Sequence, residues 1–175
     1  QMKGLSPRQI RKLIREGKWD RDTSGLAPGY AQANLAIIPQ DLSFDFLLFC
    51  QRNPKPCPVL EVTEPGNPIL SQIAKGADVR MDIPRYRIYK KGKYVAEVEN
   101  IKEYWRQDLV AFLIGCSYTF ENALLNANIP LRHIQHGTGV PVYITNIQCK
   151  PAGIFSGPMV VSMRPIPQEM VVRAV

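Results

Sequence analysis

Near the start of the chain, Ile10, Leu13 and Ile14 recur at a spacing of three and four, and Arg8, Arg11, Lys12 and Arg15 take the intervening positions. That period is one buried face of a helix. Ser6 followed by Pro7 supplies an N-cap with proline at the first helical position, and Gly17 stops the segment. Four cations on so short a helix could bind phosphate, but a solvated face is the plainer reading. A loop rich in Gly and Pro, 23–34, leads to an apolar strand at 35–38 that Pro39 ends. Asp41 is expected to cap a helix over 42–51, whose apolar surface is Phe46, Leu47, Phe49 and Cys50. A second buried strand follows at 58–63. Strand, helix and strand with short links make a β-α-β unit, which predicts a parallel sheet and a right-handed crossover. Crevices in such sheets open beyond the carboxyl ends of the strands, which draws attention to Glu61, Thr63 and Glu64. Residues 65–82 are loop-like, and 86–89 with 94–98 flank Lys90-Lys91-Gly92-Lys93 as a hairpin.

The stretch 108–133 is the most informative. An apolar run stops at Gly115, Cys116 and Ser117 follow, and a new amphipathic pattern opens at Thr119 or Phe120, which predicts a turn feeding a helix within a helix pair around Gly115. Backbone N–H groups at Gly115, Cys116 and Ser117 would then face any small anion able to reach them. A Ser117 or Thr119 side chain capping its own helix is the plainer alternative. Beyond Pro130 the chain changes character: Gly137, Gly139, Pro141, Gly153 and Gly157 punctuate strands at 142–147 and 159–164. The expected division is a main α/β lobe over 1–130 and the start of a smaller α+β lobe over 131–175. Pro167 opens a helix at 168–175 that ends inside its second turn without a C-cap, so the chain is expected to be cut within its fold.

Composition narrows the classes. With 45% hydrophobic and 21% charged residues in 175, the chain can bury a core. The net charge of +7 is dispersed and interleaved with acids, so nucleic acid is not the expected partner. Cys50, Cys57, Cys116 and Cys149 lack the Cys-x-x-Cys spacing of zinc ribbons and redox motifs, which suits a reduced intracellular protein. No apolar run approaches the roughly 20 residues that span a bilayer. A cytoplasmic location is expected, or the mitochondrial matrix if the source is eukaryotic.

Several constellations carry chemistry weakly. His133, His136 and Cys149 match no zinc spacing. Gly115-Cys116-Ser117-Tyr118-Thr119 lacks the second glycine of a nucleophile elbow. Arg164 closes an apolar strand, where its charge needs either a protein carboxylate or a substrate one. Gln32, Asn34, Thr145 and Asn146 could orient a polar ligand or close turns.

Taken together, Gly25-Leu26-Ala27-Pro28-Gly29-Tyr30, Gln32-Ala33-Asn34-Leu35, Asp45-Phe46, Phe49-Cys50, Asn53-Pro54, Cys57-Pro58, Glu61-Val62-Thr63, residues 108–121 and Val160-Val161-Ser162-Met163-Arg164-Pro165 resemble the YcsI-type putative hydro-lyases, the family that includes D-glutamate cyclase. The resemblance covers nearly the whole chain. It implies an α/β fold (α+β overall): a three-layer α/β/α sandwich lobe with a smaller two-layer α+β lobe inserted, whose C-terminal part is missing here. The family's downstream His-Gly-Asp-Pro and Gly-His blocks have no counterpart, which leaves the activity of this chain alone open. The implied function is a cofactor-independent carbon–oxygen lyase acting on a small carboxylate, with cyclisation of D-glutamate to 5-oxo-D-proline as the named reaction. The alternative is a non-catalytic module that binds a carboxylate metabolite. In the implied site, Glu61 or Glu121 handles protons, and Arg164 or the Gly115, Cys116 and Ser117 amides hold a carboxylate. Gln32, Asn34, Thr145 and Asn146 orient the substrate. Asn122 stands where relatives often carry a second acid, and His136 is outside the family pattern. No metal, nucleic-acid or membrane partner is implied, and self-association is left open.

Overall fold

The structure, a computed structural model, describes residues 4–175 and mixes helices with three antiparallel sheets, consistent with the expected α/β class. Helix α1, Pro7–Arg15, has the expected start, with a full capping box: the Ser6 hydroxyl accepts from the Gln9 backbone, and the Gln9 side chain accepts from the Ser6 backbone. Its cationic face is not wholly solvated. Arg15 forks onto the buried Asp82, with Nη2 at 2.6 Å, and Arg11 lies 3.7 Å from the same carboxylate.

Strand β1, Ala33–Pro39, runs directly into helix α2, Gln40–Arg52, and strand β2, Val59–Val62, follows. Asp41 does not cap α2. Pro39 holds the cap position without a side-chain bond, and Asp41 sits in the first turn, where its charge still suits the helix dipole. Hairpin strands β3, Tyr86–Lys90, and β4, Lys93–Val98, turn at Lys91 and Gly92, both at positive φ, as a two-residue hairpin loop requires.

The expected parallel sheet is corrected by strand β5, Leu109–Gly115, which lies between β1 and β2 and is antiparallel to both. β1 and β2 do share a direction, but they are not hydrogen-bonded to each other. The same strand overturns the expected helix pair around Gly115. A short apolar run covered on both faces cannot be told from a buried helix by periodicity, and β5 is covered on both. Ala111 packs with Leu70, Ala77 and Val79 on one side, joined by Leu35, Ile37 and Trp105. Phe112 meets Phe46 edge-on at 4.9 Å on the other, and Phe155 closes on Phe46 at 5.0 Å.

After β5 the chain forms a 3₁₀ turn, Ser117–Phe120, and helix α3, Glu121–Asn126, so the predicted turn feeding a helix is present. Helix α4, Arg132–Gln135, precedes the hairpin of β6, Val142–Gln148, and β7, Pro158–Ser162. A 3₁₀ turn, Gln168–Met170, leads into α5, Val171–Ala174. A second core holds Leu124, Ile129 and Leu131 against Ile166, Met170 and Ala174. That core brings the end of β7 back over the start of α3. Among the described residues no helix is long and apolar enough to cross a membrane.

Candidate functional site

Where β5 ends, Cys116 is extended and the chain bends into the 3₁₀ turn, so Ser117 and, one turn later, Glu121 point toward the end of β7. Ser162 and Arg164 come from that strand end, and His133 from α4. These five side chains form one polar cluster. Arg164 donates through Nε to Glu121 at 2.7 Å and through Nη2 to the same oxygen at 2.5 Å. Its Nη1 reaches the Ser162 hydroxyl at 2.9 Å and its Nη2 the Ser117 hydroxyl at 3.2 Å, and the two hydroxyls lie 2.9 Å apart. His133 Nε2 stands 3.2 Å from one Glu121 oxygen and 3.3 Å from the other. Phe120 covers the guanidinium face, with the ring centroid 4.7 Å away, and Tyr118 lies 5.7 Å away. Glu121 and His133 are both only 7% exposed, so this network stands in a low dielectric where each bond is strong and each lost partner costly.

Chemically, the arrangement joins an imidazole to a carboxylate that a guanidinium fixes from the other side. The carboxylate can hold the ring in one tautomer while the other nitrogen moves a proton. His133 Nδ1 makes no hydrogen bond to another described side chain, which suits that role. Ser117 accepts from Arg164, so its own proton is free to reach Ser162 or another oxygen.

The other expected residues fall elsewhere. Glu61 is as buried as Glu121, at 6%, but serves a different structure. Its Oε1 accepts the backbone N–H groups of Ser71 at 2.6 Å and Gln72 at 3.0 Å, and its Oε2 accepts that of Ile73 at 2.8 Å. Burial pushes its pKa up, yet the amides of Ser71, Ile73 and Gln72 together with the Ser71 hydroxyl outweigh burial and hold it below the ordinary value. Gly115 and Cys116 do not offer open amides: Gly115 N–H donates to Pro58 O at 2.8 Å, and Cys116 N–H to Gln32 O at 3.0 Å. Gln32 is tied to the turn, its N–H donating to the Thr119 hydroxyl at 2.9 Å. Both Gln32 and the exposed Asn34 line a separate cleft of about 790 Å³ between β1 and β3. On β6, Thr145 donates to Met159 O at 2.7 Å, and Asn146 is exposed; neither hydrogen-bonds to the cluster.

His133 and Ser162 are the members that sequence reasoning missed. Ser162 stands in the block that carries Arg164, two residues before it, which is the one signal that pointed to it. In sequence His133 stands out only beside His136 and Cys149, as a possible metal ligand, but His136 is exposed and Cys149 lies near Cys57. Among the described residues no three His, Cys, Asp or Glu side chains are grouped to hold a metal ion. Cys50 also lies beside Cys57, and burial pushes the Cys50 thiol up to about 11.

Residues 110–175 match the family model described as D-glutamate cyclase. The chain is 63% identical over 171 residues to a putative hydro-lyase of Thermoanaerobacter sp., covering 98% of this chain and 64% of that protein. It is 58% identical over 170 residues to the putative hydro-lyase YcsI of Bacillus subtilis, covering 97% and 66%. A putative hydro-lyase of Bacillus velezensis is 57% identical over 173 residues, covering 99% and 66%. The chain thus spans just under two thirds of the length of these curated relatives.

Proposed function

The chain belongs to the family of the YcsI-type putative hydro-lyases, and from that premise we propose that it carries the proton-handling part of a site that cyclises D-glutamate, or a closely related amino dicarboxylate, with loss of water. The observation that supports this reading is the buried Glu121–His133 contact, braced by Arg164 beside the Ser117 hydroxyl. In the reaction the α-amine attacks the γ-carboxyl carbon, the new C–N bond forms, and one carboxyl oxygen leaves as water. The site must take a proton from the ammonium, stabilise a tetrahedral oxyanion and return a proton to the departing oxygen. His133 takes and returns the proton. Glu121 orients the ring and stabilises its charged form, and Arg164 positions Glu121. The Ser117 hydroxyl, beside Arg164, is the donor offered to a developing oxyanion. Every step is a proton transfer or an addition–elimination, so the chemistry calls for neither a redox group nor an electron sink.

The test is to follow 5-oxoproline formed from D-glutamate by the chain together with the part of the Thermoanaerobacter relative that the match leaves uncovered. Glu121→Gln and His133→Asn are each expected to lower turnover about 100-fold or more, the scale of a lost general acid–base group. An assembled protein that gives no product above the uncatalysed rate, from D-glutamate or related acids, removes the lyase reading. The alternative is a module that binds a carboxylate metabolite without turning it over; Arg164, with all three nitrogens engaged by Glu121, Ser162 and Ser117 and its side chain only 6% exposed, is not the residue that would hold that carboxylate. Saturable binding of D-glutamate without product would select the binding module.

A further inference from the structure

The cleft between β1 and β3 is walled by two open strand edges. Among the described residues, β1 pairs only with β5, and β3 only with β4. The direction of each β1 backbone group follows from its register. Gln32 C=O accepts from Cys116 and Gln40 N–H donates to Asp108, and between them Asn34 stands opposite Ile114 and Ala36 opposite Phe112. In an antiparallel ladder bonded and non-bonded positions alternate, so the even positions of β1 face β5. Ala33, Leu35 and Ile37 therefore present their N–H and C=O groups to the cleft. None of these groups bonds to another described residue. The cleft of about 790 Å³ is lined by residues 33–38 of β1 and 86–90 of β3, and the segments 20–23 and 82–85 also line it.

A row of outward donor and acceptor groups, repeating every second residue along a strand, matches the backbone of another strand far better than a small molecule. An unprotected edge beside a core strand is also a site that folded proteins ordinarily cover. A second copy of this chain fits poorly, since its β1 edge would bring β5 with it into a space already bounded by β3. The relatives, by contrast, carry a stretch of chain that this one does not span, amounting to roughly a third of their length. We infer that the cleft seats an extended strand from that stretch, hydrogen-bonded to Ala33, Leu35 and Ile37 and flanked by β3. This inference rests on the family membership and not on the proposed chemistry.

The experiment adds the uncovered part of the Thermoanaerobacter relative, as a separate polypeptide, to the chain and follows amide hydrogen exchange residue by residue. Leu35 and Ile37 are expected to slow on the order of tenfold or more, while Ala36, already bonded to β5, changes little. Ala33→Pro removes one outward donor without touching the β5 ladder or the core packing of Leu35 and Ile37, as proline is tolerated on a free edge and at the first residue of a strand; it is expected to weaken binding of the polypeptide about tenfold. Binding that leaves Leu35 and Ile37 unprotected overturns the inference, as does no binding at all. Protection that grows with the chain's own concentration, without the polypeptide, assigns the cleft to a second copy and overturns it equally. Loss of turnover with protection intact would instead count against the proposed chemistry alone.

Discussion

Glu61 and Glu121 are two carboxylates of nearly equal burial, 6% and 7% exposed, held by opposite means. Glu61 is gripped by three consecutive backbone amides, those of Ser71, Gln72 and Ile73. Glu121 is held by side chains alone, Arg164 and His133. Backbone donors cannot move without remaking the 65–82 loop, so Glu61 is a fixed part of the fold. Side-chain partners can rotate or pass a proton, so the Glu121–His133 contact has a freedom that the Glu61 site lacks. Burial and residue type did not separate the two; the nature of the donors does.

The comparison breaks most sharply at Arg164. Arg164→Met keeps much of the aliphatic bulk but leaves Glu121 buried without its cation, and a broken buried pair costs about 3–5 kcal/mol, read as a fall in the urea midpoint. Glu121→Leu combined with Arg164→Met removes both charges and is expected to recover most of that loss, because a buried pair replaced by packed apolar groups is often neutral. Should the double variant be no more stable than Arg164→Met, the cluster contributes to the fold in a way that pairing does not explain. A double variant that is stable but inactive is the outcome the proposed function anticipates.

How far these contrasts could be read in advance depended on range. The α1 cap at Ser6, the β3–β4 hairpin at Lys91–Gly92 and the bend at Gly115 were legible because each is set by a few adjacent residues. β5 was misread because Leu109–Gly115 is apolar on both faces, and what distinguishes a doubly covered strand from a helix is the partner on each side. The parallel sheet failed for the same reason: the β1, α2 and β2 segments give no sign that β5, far along the chain, will insert between them. Glu61 looked like Glu121 in sequence, since the amides of Ser71, Gln72 and Ile73 have no side-chain signature. His133 joins Glu121 across a turn, α3 and the start of α4, a distance at which no spacing rule applies.

A smaller effect is expected at Glu61. In Glu61→Gln the side-chain amide must present an NH₂ group to at least one backbone donor, an unmet contact costing about 1–3 kcal/mol. Because the folded pKa of Glu61 lies below its ordinary value, its contribution is complete above the unfolded value of about 4.3 and fades as pH falls through the lower folded value. The stability gap between wild type and Glu61→Gln, from urea midpoints, is therefore expected to be constant from neutral pH down to about 4.3 and to close below it. A gap that widens on acidification would mean that the carboxylate is not what the loop holds.

The smallest effect tests the backbone account itself. Ser71 offers Glu61 two donors, its N–H at 2.6 Å and its hydroxyl at 3.3 Å. Ser71→Ala removes the longer bond and leaves all three amides, so the expected loss is about 0.5 kcal/mol, at the low end for one hydrogen bond. The acid-side fade described for Glu61 should survive in this variant, since the amides that lower its pKa are intact. If Ser71→Ala instead abolished that fade, the hydroxyl would be the decisive donor. Glu61 would then depend, like Glu121, on a replaceable side chain, and the line drawn between the two carboxylates would disappear.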